Sequence, residues 1–245
     1  MNHYVTRLCL TFGLTLSVAA GFSSTCNAQT FQSTNNRTQL LELYSSQGCS
    51  SCPPAEHWVS KQLDHPGLWQ EFIPIVFHVD YWDYLGWKDP FSMKQYSQRQ
   101  RTYHSQGGIS SVYTPGMLVN GKEWRGWYRG NSLPGSHLIP GVLSAVLDNS
   151  NLQVNYSHKA PLNLNIALLG FGIKTNVQHG ENAGRTFIEN FVVVDKKTVY
   201  SKNGQWNLPI KTTSQFNAQR YALAIWINSV DNLQPLQVTG GWIEP

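Results

Sequence analysis

The hydrophobic positions of this chain fall into short dense runs rather than long periodic stretches. Thr38 to Tyr44 (TQLLELY) and Phe72 to Val79 (FIPIVFHV) are apolar over strand lengths, which suits strands buried on both faces of a parallel sheet. Between them, Pro53 and Pro54 open a segment whose buried side is Trp58, Val59 and Leu63, and Asp64-His65-Pro66-Gly67 ends it. Proline is tolerated in a first helical turn, where the missing N–H has no partner to lose. Strand, helix, strand at this length predicts a βαβ unit with parallel strands. A polar helix is predicted from Ser92 to Tyr103, broken by Gly107 and Gly108. Pro115 then leads a short apolar strand into Asn120-Gly121, a hairpin dipeptide, with Glu123 to Tyr128 as the returning strand. Leu138, Val142, Val146 and Leu147 lie near helical spacing and predict a closing helix over Ser136 to Leu147. The polar stretch 29–37 predicts a flexible start.

Beyond Asn149 the pattern changes. Strand-like runs at Leu162–Leu169, Phe187–Val194, Tyr221–Asn228 and Gln237–Trp242 alternate with turn-rich segments, and no helical period appears. The predicted class is α/β: a mixed-sheet domain with flanking helices over 38–150, then a smaller all-β, sandwich-like region over 151–245.

Composition sharpens this picture. Of 245 residues, 41% are hydrophobic and only 13% charged, so solubility rests on Asn, Gln, Ser and Thr. The net charge is +4, and its densest basic cluster, Arg99, Arg101 and His104, is too small for a nucleic-acid partner. Arg7, the apolar stretch Leu8 to Ala20 and Cys26-Asn27-Ala28 form the pattern of a secretory signal peptide over 1–28. The apolar stretch is shorter than the about 20 residues of a spanning helix, and no transmembrane segment is expected in the mature chain. Ser23-Ser24-Thr25 is a poor lead-in for the other reading, lipid attachment at Cys26.

Cleavage there removes Cys9 and Cys26 and leaves Cys49 and Cys52, spaced C-x-x-C. The loop between them is too small for a bridge to gain much from loop entropy. The pair therefore reads as chemistry, redox or metal. At the start of a helix, unpaired N–H groups and the helix dipole favour a thiolate, and Cys49 is the expected nucleophile. Cys52, one turn on, is the expected resolving cysteine. Gly48 is expected to leave the approach to Cys49 open. Thr114-Pro115 is expected to be cis and to present the Thr114 backbone to a substrate peptide, the alternative being a trans proline at a strand start. The order of elements is that of the thioredoxin fold. No cofactor beyond the cysteine pair is expected; the partners are cysteine-containing protein substrates and a redox partner.

The loop DYWDYLGWKDPF follows the second strand. His78 and Asp80, two apart, are expected to face one side at its C-terminal end. With Asp83 they are candidates for a proton relay or rim, and Trp82 for substrate contact. The competing reading is structural: Asp89-Pro90 capping, His78 a satisfied buried group, the aromatics core. Soft thiolates with imidazole also suit copper or zinc, and a metal-delivery alternative uses Cys49, Cys52 and His78. A third alternative is a binding module with an inert disulfide. Glu181 and Arg185 are expected to pair and brace the two regions, the alternative being that they approach the cysteine site.

The runs SQGCSSCPPA, FHVDYWDYLGWKDPF, RQRTY, VYTPGMLVNG and GENAGR resemble a family of exported thioredoxin-like proteins of unknown function (domain of unknown function 1223) over residues 38–194. The resemblance implies a thioredoxin-like domain with a β-rich C-terminal part in a bacterial envelope, periplasmic or secreted, and no particular substrate. Where the family pattern continues toward Asn-Val-Val-Arg, this chain reads Phe191-Val192-Val193-Val194, so that Arg is absent.

Overall fold

A computed structural model describes residues 28–244. The signal-peptide expectation, with Cys9 and Cys26, lies outside them. In chain order the elements are β1 (Gln29–Gln32), β2 (Gln39–Ser45), α1 (Pro53–Ser60), β3 (Phe72–His78), α2 (Lys94–Ser105), β4 (Gly116–Val119), β5 (Lys122–Glu123), β6 (Leu143–Asp148), β7 (Asn151–Tyr156), β8 (Leu162–Phe171), β9 (Ile173–Asn176), β10 (Thr186–Glu189), β11 (Val192–Ser201), β12 (Gln205–Pro209), β13 (Arg220–Ser229) and β14 (Pro235–Trp242). The fold is mixed α/β, with few helices and several sheets.

An eight-stranded sheet runs β14-β13-β8-β11-β3-β2-β4-β5. β2 and β3 are parallel, as the strand–helix–strand pattern predicts, and Leu43 lies opposite Val76. β4 joins β2 antiparallel and turns into β5 at Asn120-Gly121, where φ is 50° and 77°. Those positive values are what an Asn-Gly hairpin turn supplies. β3 tolerates Pro74 because β11 meets it only at Val76, so no ladder bond to β11 needs the missing N–H.

Residue 150 marks no break in this sheet: β8, β11, β13 and β14 extend the one containing β2 and β3. Period-two alternation explains why β13 is apolar throughout. Ala222, Ala224 and Trp226 face a core shared with β2, β3, α1 and α2, while Leu223, Ile225 and Ile227 face a second core. The second core is closed by a four-stranded sheet, β1-β6-β7-β12, through Phe31, Leu143, Ala145, Leu147, Leu152, Val154 and Trp206. Each fully buried Leu or Ile there contributes about 1.5–3 kcal/mol of transfer free energy. This four-stranded sheet draws β1 and β6 from outside the 151–245 region expected to be all-β.

Four local expectations are corrected. Ser136 to Leu147 is not a helix: Pro140 and Gly141, at φ +90°, interrupt it, and Leu143–Asp148 is a strand between β1 and β7. Its alternating Leu143, Ala145 and Leu147 are buried, whereas Leu138 is exposed. The polar start contains β1, held because Phe31 is buried under β6. The strand returning from the hairpin is only Lys122–Glu123, since the chain turns into a 3₁₀ segment at Gly126–Arg129. The run Phe187–Val194 is two strands, split where Phe191 adopts φ +58°.

Candidate functional site at the cysteine loop

β2 delivers the chain into the loop 46–52, and α1 leaves it. Pro53 and Pro54 occupy the first turn of α1, and Ala55 and Val59, four apart, face the core. Cys49 and Cys52 are joined by a disulfide, with Cα atoms 5.5 Å apart. Cys52 is the residue that precedes α1, and its carbonyl accepts the Ala55 and Glu56 amides. Ser51 Oγ lies 3.4 Å from Cys49 Sγ.

Gly48 is not an open approach. A Cβ there would sit 3.0 Å from the Cβ of Trp82, so Trp82 fills the space that the glycine frees. The indole N–H of Trp82 donates to Thr114 Oγ1 at 2.7 Å, and the Thr114-Pro115 bond is cis. Trp82 therefore spans from the cysteine loop to the proline turn, and Gly48, Trp82, Thr114 and Pro115 form one wall.

The other side of the loop is covered by the GENAGR segment. Asn182, fully buried, donates from Nδ2 to the carbonyls of Gln47 at 2.9 Å and Cys49 at 3.0 Å. Glu181 Oε2 accepts the Ser50 amide at 3.2 Å. The expected Glu181–Arg185 brace is not among the ion pairs of the described residues. Beside this strap Cys49 is 1% exposed and Cys52 0%, so both cysteines are buried in the disulfide state.

His78 and Asp80 do not act together. The strand ends at His78, and Asp80 turns toward α2, where Ser97 Oγ donates to its carboxylate and its own amide donates to Ser97 Oγ. Asp83 accepts Ser92 Oγ at 2.8 Å and the Asp89 amide at 3.3 Å, which folds the loop on itself. Burial holds its carboxyl above the usual range.

His78 points inward, into a polar cluster that spacing alone did not reveal. Its Nδ1 lies 2.7 Å from Asp89 Oδ2, and its Nε2 lies 3.7 Å from Glu189 Oε2. Asp89 Oδ2 also accepts the Gln47 amide at 2.7 Å, and Gln47 Nε2 donates to Glu189 Oε1 at 2.6 Å. Glu56, on α1, turns its carboxylate to Ser45 Oγ on the same side. Burial alone pulls the His78 pKa down, but Asp89 and then Glu189 outweigh it and raise it to about 10. Burial pushes Glu189 up to about 8 and Glu56 upward, in each case partly opposed by His78. Burial also raises Asp89, but the charge and hydrogen bond of His78 bring it below its ordinary value.

Among the described residues, the group with ligand atoms within 4.8 Å of one another is Glu56, His78 and Glu189. The sequence-based metal set of Cys49, Cys52 and His78 is not that group; its sulfurs are bonded to each other. Glu189 had a usable signal, since it shares the buried face of β10 with Phe187. Glu56 had only its position one turn after Cys52.

A sequence match to the family described as "Protein of unknown function (DUF1223)" runs over residues 40–228. The chain belongs to this family. Both cysteines and the Thr114-Pro115 wall fall inside the DUF1223 match. No curated protein matches the chain. Two solved structures are similar. Protein AGR_C_4864 from Agrobacterium tumefaciens shares 23% identity at a TM-score of 0.57, over 84% of this chain and 93% of that one. HBP35 of Porphyromonas gingivalis shares 12% identity at a TM-score of 0.54, over 85% of this chain and 76% of that one. At these identities the likeness is one of fold alone. In this DUF1223 chain no helix of the described residues is long and apolar enough to cross a membrane.

Proposed function

We propose that this chain is an exported thiol–disulfide oxidoreductase with a thioredoxin-like site, acting on cysteine-containing proteins of a bacterial envelope. The observation that carries the reading is the Cys49–Cys52 disulfide at the start of α1, walled by Trp82 and Thr114-Pro115. Support also comes from the parallel β2–α1–β3 unit and from the secretory pattern at the N-terminus.

In the disulfide state a substrate thiolate attacks Cys49 Sγ. The Cys49–Cys52 bond breaks, and the electron pair leaves on Cys52. The second substrate thiolate then attacks the substrate sulfur of the mixed disulfide and releases Cys49 as thiolate. Two electrons have passed from substrate to enzyme, and the substrate has gained a disulfide. The reverse sequence reduces a substrate disulfide, with Cys49 as nucleophile and Cys52 resolving. The dipole of α1, which starts just after Cys52, favours negative charge on the cysteine loop, but its first N–H groups are not free for Cys49: Pro53 and Pro54 have none, and the Ala55 and Glu56 amides bond the Cys52 carbonyl. Because Cys49 is buried, the strap at Gly180–Arg185 must lift before a protein thiol reaches it.

The test is mixed-disulfide trapping in the exported compartment. Cys52→Ser accumulates covalent adducts through Cys49, and Cys49→Ser accumulates none. Absence of adducts with Cys52→Ser, together with full function of the double serine variant, would leave an inert bridge in a binding module.

A further inference from the structure

We propose that Glu56, His78 and Glu189 form a binding site for one divalent transition-metal ion, zinc being the ion this donor set fits best. The site stands apart from the cysteine chemistry, because it uses no sulfur.

Three observations carry it. First, three different elements converge: Glu56 from α1, His78 from the end of β3 and Glu189 from the end of β10, with one ligand atom of each inside a 4.8 Å span. Zinc–ligand bonds of about 2.0–2.2 Å set tetrahedral ligand atoms about 3.4 Å apart, so the His78–Glu189 pair at 3.7 Å is nearly in place and a pair at the 4.8 Å limit would have to close by about 1.4 Å. Second, His78 is completely buried, and its Nε2 has no hydrogen-bond partner. The nearest carboxylate oxygen, Glu189 Oε2 at 3.7 Å, is too far for a hydrogen bond but suitably placed to share an ion. A buried imidazole nitrogen without a partner is costly, and a metal bond is one of the few ways to satisfy it.

Third, each ligand is held by a second group that leaves another atom for the centre. Asp89 holds His78 through Nδ1, the carboxylate–histidine arrangement that fixes a ligating imidazole and strengthens it as a donor. Gln47 holds Glu189 through Oε1, and Ser45 holds Glu56 through Oε1. Asp89 is in turn held by the Gln47 and Phe91 amides.

The donor set selects the ion. One imidazole nitrogen and two carboxylates supply three ligands and leave a fourth position, a zinc pattern. Calcium takes six to eight oxygens and magnesium a near-octahedral set of them, which this cluster does not provide. Copper(I) favours thiolate or thioether sulfur, absent from the group. The ion balances two carboxylates that are otherwise held in a low-dielectric interior.

The experiment uses the full chain with its disulfide intact, stripped by chelator and then titrated with zinc chloride. Isothermal titration and elemental analysis after gel filtration are expected to give one zinc per chain. Glu56→Gln and Glu189→Gln are expected to weaken binding by about tenfold or more. The Cys49→Ser/Cys52→Ser chain is expected to bind as the parent does, whether or not the redox reading holds. Cobalt(II) on the parent chain is expected to show visible d–d bands without a near-ultraviolet thiolate band, a readout that does not depend on any variant folding. Failure to retain zinc, retention unchanged in both glutamine variants, or a thiolate band would overturn the site.

Discussion

Asn182 holds the backbone of Cys49: its side-chain amide donates to the Cys49 carbonyl at 3.0 Å and to the Gln47 carbonyl at 2.9 Å. A residue well over a hundred positions from the cysteines along the chain thus fixes the loop that presents them. Asn182→Ala removes both bonds, each worth about 1 kcal/mol net. The strap should open roughly thirtyfold more often. The disulfide should then be reduced by dithiothreitol faster by a similar factor, followed by thiol titration with time. An unchanged rate would mean that the strap does not gate access to Cys49.

Gly48 and Trp82 pack so closely that a methyl group has no room. Gly48→Ala places a Cβ 3.0 Å from the Trp82 Cβ and 3.3 Å from its carbonyl oxygen, and one of them must move. Overpacking of this kind costs about 1–3 kcal/mol. Chemical denaturation should show that loss. Intrinsic tryptophan fluorescence should shift as the Trp82–Thr114 bond lengthens. Stability equal to the parent would show that the wall is soft.

Arg99 is buried beneath the sheet, with Nε 2.8 Å from Glu42 Oε2 and Nη2 3.1 Å from Oε1. Tyr103 donates to Glu42 at 2.6 Å, and Tyr44 also donates to Glu42, at 2.9 Å. The guanidinium also lies over the rings of Tyr103 and Trp226. Arg99→Ala strands the Glu42 carboxylate and should cost about 3–5 kcal/mol. Glu42→Gln/Arg99→Met should cost less than Arg99→Ala, because no charge is left alone. Urea midpoints of the variants check the ranking.

The buried cluster sets a pH dependence in chelator-treated protein. Glu189 titrates near 8 in the fold against 4.5 in the unfolded chain, so the folded state holds more protons between those values and stability falls as pH rises. His78, near 10 against 6.5, adds a stabilising charge that is complete below 6.5 and lost as pH climbs through 10. Stability should therefore fall from mildly acidic pH upward, most steeply between about 6.5 and 8, where both act. Asp89, held below its ordinary 3.8, adds the opposite loss at more acidic pH. Urea midpoints measured from pH 4 to 10 trace the curve, and Glu189→Gln should remove the Glu189 share, between about 4.5 and 8, and leave that of Glu56, which burial also raises.

Local chemistry in the sequence determined a good deal. The apolar runs fixed β2 and β3, Pro53-Pro54 fixed where α1 starts, Asn120-Gly121 fixed the hairpin, and the C-x-x-C spacing put two sulfurs within bonding reach. Each of these depends on residues a few positions apart, so their covalent connection carries the information. The even alternation of Leu143, Ala145 and Leu147 was also present in the sequence, but the helical spacing of Leu138, Val142 and Val146 overlapped it. Only the pairing of β6 with β1 and β7 decided between the two.

Tertiary structure alone decided the rest. That β8 and β13 extend the sheet of β2 and β3 follows from edges pairing at long range, which no local period encodes. Likewise His78, Asp80 and Asp83 looked alike as loop-end polar groups, yet one is drawn into the core, one binds Ser97 of α2 and one folds the loop on itself. The difference comes from Glu56, Asp89 and Glu189, which arrive from separate elements. A buried polar group is defined by its partners, and those partners meet only when the chain has folded.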